Sequence, residues 1–426
     1  MLPKLEHYPV NWVDGMKIAR KHFTDFEHFV SDHLRDTSAV ALTNYNYGLL
    51  SSDSPPFGIQ VITDRTQNVR VQLTHCRAVT GAGCRIEIVN QQVELATSLQ
   101  AILDKYNMPP AEELQFLIVL SVDLYVRQPI GEPANNEPFP RPPFTVPTYT
   151  LTIVPSNQQE SDRKTAYSSA AQNGVLVATP PYPSASFESH HLVVGQLLAK
   201  NGMLSKDEAF IPACAAISAH DQLLAWTEKL NKTLAEVQRD AYQIVAKVVR
   251  KRRTEQAYRA GPLAEQIRIL AEHIAGSLDD ALNHLQFGGR EQSPMEYIRY
   301  VTRATRLLKT TLDCLCEEDK NSPSLGRELV LPYFQSWTNI EPATVETAIN
   351  DVITKQYRHG QLQHHLPLID RCWEYIRLIF RRMTELEYIG QENTDYDFDT
   401  QRRSTHRADR PADGVNDPFG GGYSFQ

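Results

Sequence analysis

Four stretches in the second half of the chain carry apolar residues at alternating spacings of three and four. They run Leu230, Leu234, Val237, Ala241, Ile244, Val248; then Leu263, Ile267, Leu270, Ile274; then Ile298, Val301, Thr305, Leu308, Leu312, Leu315; and last Leu362, Leu366, Ile369, Trp373, Ile376, Phe380, Met383. The average repeat is near 3.5, so each predicts a long helix with one narrow apolar seam suited to knobs-into-holes packing. Helix boundaries are punctuated clearly. Ser293-Pro294-Met295-Glu296 reads as an N-cap, a first-turn proline and a glutamate three after the cap; Gly261-Pro262 and Glu341-Pro342 mark two more starts, and Gly288-Gly289 a stop. From Leu223 to Val248 such a helix would run about 39 Å.

The first half follows a different period. After a helix-like stretch from Lys17 to Leu34, alternation appears at Val69–Leu73, Arg85–Val89, Phe116–Val126 and Tyr149–Val154, all rich in β-branched and aromatic residues. Short strands with intervening turns predict an antiparallel sandwich. Nine of the 26 prolines fall between Pro109 and Pro147. Because proline lacks the ladder donor, that segment is expected to be an extended loop or arm. Ser156 to Gly174 reads as a polar excursion, and the stretch from Gly390 to Gln426 has too few apolar residues to offset its ordering entropy. The fold class is therefore α+β multidomain: an N-terminal antiparallel β-sandwich shell over residues 1–205, a long helical-bundle neck over 206–389, and a disordered C-terminal tail over 390–426.

Composition narrows the function. At 426 residues and net charge −8 the chain does not have the basic balance of a general nucleic-acid or anionic-membrane binder. No apolar run of eighteen residues and no signal-peptide core occur, so a cytoplasmic location is expected. The six cysteines form no Cys-x-x-Cys pair and read as reduced thiols. Gly81-Ala82-Gly83 sits between two strand-like runs and reads as a hairpin turn, not a phosphate loop. No phosphate-binding P-loop, zinc-protease His-Glu-x-x-His or nucleophile elbow is present. His359, His364 and His365, and the pair His190–His191, lack the partner spacing of a metal site. The basic run Lys247, Arg250, Lys251, Arg252, Arg253 reads as a solvated helix end, and Glu317-Glu318-Asp319 as its acidic counterpart. No catalytic, cofactor-binding or metal-ligating set is expected, and neither a nucleic acid nor a small-molecule substrate is expected as a partner.

Six motifs in order carry a resemblance. Asn11-Trp12-Val13-Asp14-Gly15-Met16, continuing through His22-Phe23, resembles the opening of the TssK family, the baseplate subunit of type VI secretion systems. Tyr45-Asn46-Tyr47-Gly48-Leu49, Pro129-Ile130-Gly131-Glu132-Pro133 through Tyr149-Thr150-Leu151, Phe210-Ile211-Pro212, Ser293-Pro294-Met295-Glu296-Tyr297 and Tyr357-Arg358-His359-Gly360-Gln361-Leu362 are similar to its later motifs. The resemblance implies a shell related to the shoulder of phage receptor-binding proteins and a neck that assembles as a homotrimer. It also implies wedge partners of the TssF and TssG type, and a link to the inner-membrane anchor complex through a carboxy-terminal head. Only 38 residues follow Tyr388, so this chain departs from the head-bearing pattern. On this reading Trp12, Gly15, Met16, His22 and Phe23 fix the amino-terminal segment onto the shell or a neighbour. Leu230, Leu234, Val237, Ile298, Leu308, Leu312, Ile369, Trp373 and Ile376 form the oligomer neck. A phage-tail receptor-binding protein is the alternative, and a hydrolase using Asp123, His75 or His190 a remote one.

Overall fold

The computed structural model describes residues 5, 7–51, 56–64, 68–89, 91–133, 140–156, 190–254, 262–315 and 326–390; the polar excursion and the tail lie almost wholly outside them. It is an α+β protein. Helix α1 (Arg20–Val40) leads into a strand-rich half: β1 (Gly48–Leu49), β2 (Gly58–Thr63), β3 (Asn68–Val79), β4 (Arg85–Ile88), β5 (Val93–Ser98), helix α2 (Leu99–Lys105), β6 (Glu113–Ile130), β7 (Phe144–Pro155), β8 (His191–Lys200) and β9 (Met203–Lys206). All strand pairings within the two sheets are antiparallel.

The first sheet is built around β3, whose early half pairs with β2 and β5 and whose late half pairs with β1 and β4. Val69, Val71 and Leu73 are buried, and then the phase slips by one to Cys76 and Ala78. The slip coincides with a bulge where β2 steps from His75 to Leu73, so both halves of one strand serve the same core. The second sheet has the order β7-β6-β8-β9. Phe116, Ile118, Leu120 and Val122 alternate inward along β6. The two sheets meet at Gly195, where a methyl group would touch both Ile118 of β6 and Ile59 of β2.

Of the proline-rich segment, expected as an extended loop or arm, residues 134–139 lie outside the described residues, and strands flank them on both sides. β6 and β7 continue outward as a two-stranded arm to Ile130 and Phe144, with Pro129 and Pro147 inside strands. Pro147 faces Arg127 at the irregularity after Asp123, where the ladder is already interrupted and a missing donor costs little.

The helical half comprises α3 (Asp221–Thr254), α4 (Pro262–Gln286), α5 (Pro294–Cys314), α6 (Gly326–Thr338), α7 (Pro342–Thr354) and α8 (Leu366–Glu385). The starts at 262, 294 and 342 fall where proline marks them. Ser293 caps α5 by accepting from the N–H of Met295, while Glu296 pairs with Arg299. Leu362 falls in a short 3₁₀ turn (Leu362–His364), so α8 begins four residues later than the seam.

α3 packs on α4 and α8, α4 on α5, α5 on α7 and α7 on α8, with α6 crossing α4, α5 and α8. That ring encloses the seams, and here the structure departs from the sequence reading. Leu230, Leu234, Val237, Ile298, Leu308, Leu312, Ile369, Trp373 and Ile376 are all at most 4% exposed within one chain. They face one another inside a single copy, so they form its own core and present no stripe to a second copy. Lys247 also differs from the solvated helix end expected: its Nζ donates to the carbonyls of Thr384 (2.8 Å) and Leu386, closing the last turn of α8.

Trp373 is completely buried. Trp373→Ala should lower stability by about 3–5 kcal/mol, read as a shift in the denaturant midpoint, because removing a large core side chain loses transfer energy and leaves a cavity. A loss below about 1 kcal/mol would mean the seams do not form the chain's own core.

Candidate interaction surface and the joint behind it

Four of the six motifs meet where the strands join the helices. Leu49 adds a backbone rung there: its N–H donates to Ala213 O (2.8 Å), its carbonyl accepts from Ala215 N (2.8 Å), and it bridges in parallel to Cys214. Gly48 makes this approach possible, since its φ is +108° and a Cβ would lie 2.0 Å from Ala213 O. Ser293 donates its hydroxyl to Tyr45 O. From the far end of the sequence, His359 Nε2 lies 2.8 Å from Tyr47 O, and Tyr357 Oη lies 2.8 Å from His359 Nδ1.

The chemistry fixes the tautomer. A carbonyl only accepts, so Nε2 carries the proton and Nδ1 accepts from the tyrosine hydroxyl. His359 is 5% exposed, and burial holds its pKa down to about 4 against the pull of the Tyr47 carbonyl. Burial likewise raises the thiols of Cys76 and Cys372 to about 12 and Cys84 to about 11, which leaves them protonated and inert.

The amino-terminal motif is built by local contacts. Val13 to Met16 form a β-turn, with Met16 N–H donating to Val13 O (3.1 Å) and Gly15 at φ +81°, a value that suits glycine at the third turn position. Met16 Sδ accepts from Val13 N (3.5 Å). His22 caps α1: its Nδ1 accepts from the N–H of Ala19 (3.2 Å). Trp12 and Phe23 point outward, 49% and 57% exposed, with ring centroids 6.5 Å apart.

What fixes the amino-terminal segment is a cluster the sequence motifs do not contain. Asp32 is fully buried; its carboxylate accepts from Tyr125 Oη and from His7 N (3.1 Å), forms an ion pair with Arg35 (3.2 Å) and pairs with His7 Nδ1 (3.2 Å). Burial works to raise its pKa, but these donors prevail and hold it below the usual carboxylate value. Arg35 in turn grips Asp36 (2.9 Å), and Arg127 of β6 donates to Ser31 (3.1 Å). At 100° per residue, Asp32, Arg35 and Ala39 lie on the inward side of α1, while Phe23, Phe26, Val30 and Leu34 lie on the opposite side. Phe26 is 45% and Leu34 64% exposed. The helix is thus inverted: an ion-paired face meets the sheet and an apolar face meets solvent.

Beside it runs a groove of about 750 Å³, lined on one side by Leu34 and Arg35 and on the other by Ile130, Val146, Pro147 and Tyr149. Its lining joins the later turns of α1 to the proline-rich motif and to the β4 region around Cys84 and Glu87. Asp123, considered above for hydrolysis, accepts from Tyr125 N (2.9 Å) and Val126 N (3.0 Å) at the β6 irregularity. Among the described residues no group of three His, Cys, Asp or Glu could hold a metal ion, and no helix is long and apolar enough to cross a membrane.

Two outcomes follow for these clusters. Burial lowers the folded His359 pKa below the unfolded value near 6.5, so its contribution to stability is full above that value and is lost as pH falls towards about 4. Between pH 7.5 and 5, denaturant unfolding should show wild type losing about 2 kcal/mol more than His359→Asn; equal losses would remove the buried imidazole from the account. Asp32→Ala removes the shared acceptor of His7 and Tyr125 and leaves Arg35 with Asp36 as its one ion-pair partner among the described residues; it should cost about 3–5 kcal/mol and expose the amino-terminal segment to limited proteolysis after Tyr8 by chymotrypsin and after Lys17 by trypsin.

No family model and no curated protein matches the chain. Solved structures do. "Crystal structure of TssK" matches with 12% identity over 70% of this chain and a TM-score of 0.41, and the present chain spans 60% of that one. TssK from the T6SS of EAEC, in complex with nanobody nb18, matches with 14% identity, 82% of this chain, 96% of that chain and a TM-score of 0.43. A TssK-TssF-TssG baseplate subcomplex matches with 13% identity, 89% and 100% coverage and a TM-score of 0.41. These are solved structures of TssK, alone or in baseplate assemblies, the family whose motifs the sequence resembles.

Proposed function

We propose that this chain is a structural subunit of a contractile injection baseplate of the type VI kind, acting through protein contacts and not through catalysis. In this reading residues 1–205 are a β-sandwich shell, and residues 206–389 are a helical neck through which three copies assemble. Wedge subunits of the TssF and TssG type dock on the shell, and the whole sits at the cytoplasmic face of the inner membrane through its partners. The observation that carries the proposal is the convergence of the motifs. Four build the joint that fixes the helices on the sheets, the amino-terminal motif presents exposed apolar side chains, and the proline-rich motif lines a groove against α1.

That surface has the size of a binding site. Tyr8, Trp12, Val13, Ile18, Phe23, Phe26, Leu34 and Val40 are each between 45% and 74% exposed. With roughly 100 Å² apiece they offer on the order of 800 Å², one partner's share of a standard interface. Aromatic residues grouped in this way are typical of interface centres. Assembly of copies falls to outward faces of the helices, where Tyr242 of α3, Leu307 of α5 and Leu378 of α8 are exposed, because the seams are already filled.

The double variant Trp12→Ser/Phe23→Ser tests the wedge contact. These side chains are half exposed, so the denaturant midpoint should stay within about 0.5 kcal/mol of wild type while recovery of co-expressed wedge subunits falls at least tenfold. Unchanged recovery would move the contact elsewhere. Light scattering coupled to size exclusion should give a trimer, and a strict monomer at micromolar concentration would overturn the assembly claim.

A further inference from the structure

A second groove, of about 380 Å³, lies between α5 and α7 on the outer side of the helical half. Its floor includes Ile298, Ile353 and Tyr357, and its rim carries Arg299, Arg303, Arg306 and Lys355. Four cations around one apolar slot are unusual in a chain of net charge −8. Arg299 pairs with Glu296 (2.6 Å) and Arg303 with Asp280 (3.0 Å), but Arg306 donates only to the Ile353 carbonyl (2.9 Å), and Lys355 makes no ion pair among the described residues. The groove therefore holds a surplus of two positive charges. His365, also in the lining, is 4% exposed, and its Nδ1 has no hydrogen-bond partner. A buried polar atom without a partner calls for a donor or acceptor that the described residues do not supply.

We infer that this groove receives the segment Asp395-Tyr396-Asp397-Phe398-Asp399 of the same chain. Beyond Gly390 the alternation of carboxylates with aromatic rings occurs at this place alone; the following stretch is basic, with Arg402, Arg403, Arg407 and Arg410, and the final aromatic residues have only Asp417 beside them. Two rings match the apolar floor, and the carboxylates between them can pair with the Arg306 guanidinium and the Lys355 ammonium, which bind carboxylates by charge-assisted hydrogen bonds.

The reach fits as well. Gly390 is tied by its N–H to Tyr333 Oη (2.8 Å) on α6, which packs against both α5 and α7. Five further residues to Asp395 extend up to roughly 17 Å, and nine to Asp399 up to roughly 31 Å. Arg306 and Arg299 lie about 12 Å and about 22 Å along α5 from its end at Cys314. The segment is thus long enough to lie along the groove from Arg306 towards Arg299. The inference stands apart from the baseplate reading, since it concerns one chain alone.

Zero-length carbodiimide coupling of the full-length protein, read by peptide mass spectrometry, tests it. Lys355 should be joined to Asp395, Asp397 or Asp399, alongside the Lys200–Glu113 pair (3.0 Å), which serves as an internal control. The tail link should fall at least fivefold in Tyr396→Ser/Phe398→Ser and in Arg303→Glu/Arg306→Glu, with the control link unchanged. A control link without any tail link to Lys355 would overturn the inference. So would a link that, in a mixture of isotopically light and heavy protein, joins different copies.

Discussion

The constraint on which the rest depends is the backbone rung at Leu49. A sheet and a set of helices have different periods, and apolar contact alone would let one slide on the other. Two N–H···O bonds between Leu49 and the 213–215 segment remove that freedom, and they require Gly48, because any side chain would strike the Ala213 carbonyl. The neighbouring Tyr47 carbonyl is then left facing the helices, where burial demands a donor. His359 supplies it, so the start of α8 is placed by the same three residues that start the first sheet. Ser293 does the same for α5 through Tyr45. Two helices of the ring are thereby registered on one short strand.

This explains why α1 can be inverted. An apolar stripe would ordinarily turn inward, since burying it is worth about 25 cal/mol per Å². Here the inward side holds Asp32 and Arg35, and turning the helix over would expose Phe23, Phe26 and Leu34 no longer but would strand Tyr125 and break the three contacts that Asp32 makes outside its own helix. Buried ion pairs gain little stability over a well-packed apolar contact, but removing one partner is strongly unfavourable. Such an arrangement specifies orientation more than it adds strength. Its consequence is a persistent apolar face on the surface, held by a cluster that a partner need not touch.

Much of the architecture could be read from periodicity, and the failures have physical causes. Strands with clean alternation, such as Arg85–Val89 and Tyr149–Val154, were legible; β2, β5, β8 and β9 were not, because Gly58, Gly195 and mixed polar positions blur the two-residue period. Proline starts at 262, 294 and 342 were read correctly, since φ and the missing donor act locally. The anchor of the amino-terminal segment was invisible for the opposite reason. His7, Asp32, Arg35 and Tyr125 are spread over more than a hundred residues, and nothing in their spacing says they meet. In the sequence His359 is one of three nearby histidines, and its role depends on a carbonyl 312 residues away.

The seams teach the sharper lesson. A spacing of three and four states that a helix has one narrow apolar side; it does not state whether the helix opposite belongs to the same chain. In this protein the connections decide it. α4 returns from α3 after a short connection and packs on it, α5 returns from α4, and α7 leads α8 back beside α3, so each seam meets one from its own chain before another copy could reach it. Local closure of this kind has a smaller loop-closure cost than association has in lost translational freedom. On the outer surface of these helices only scattered large apolar residues, such as Tyr242 and Leu378, are exposed among the described residues. The core of the helical half is therefore complete within one chain.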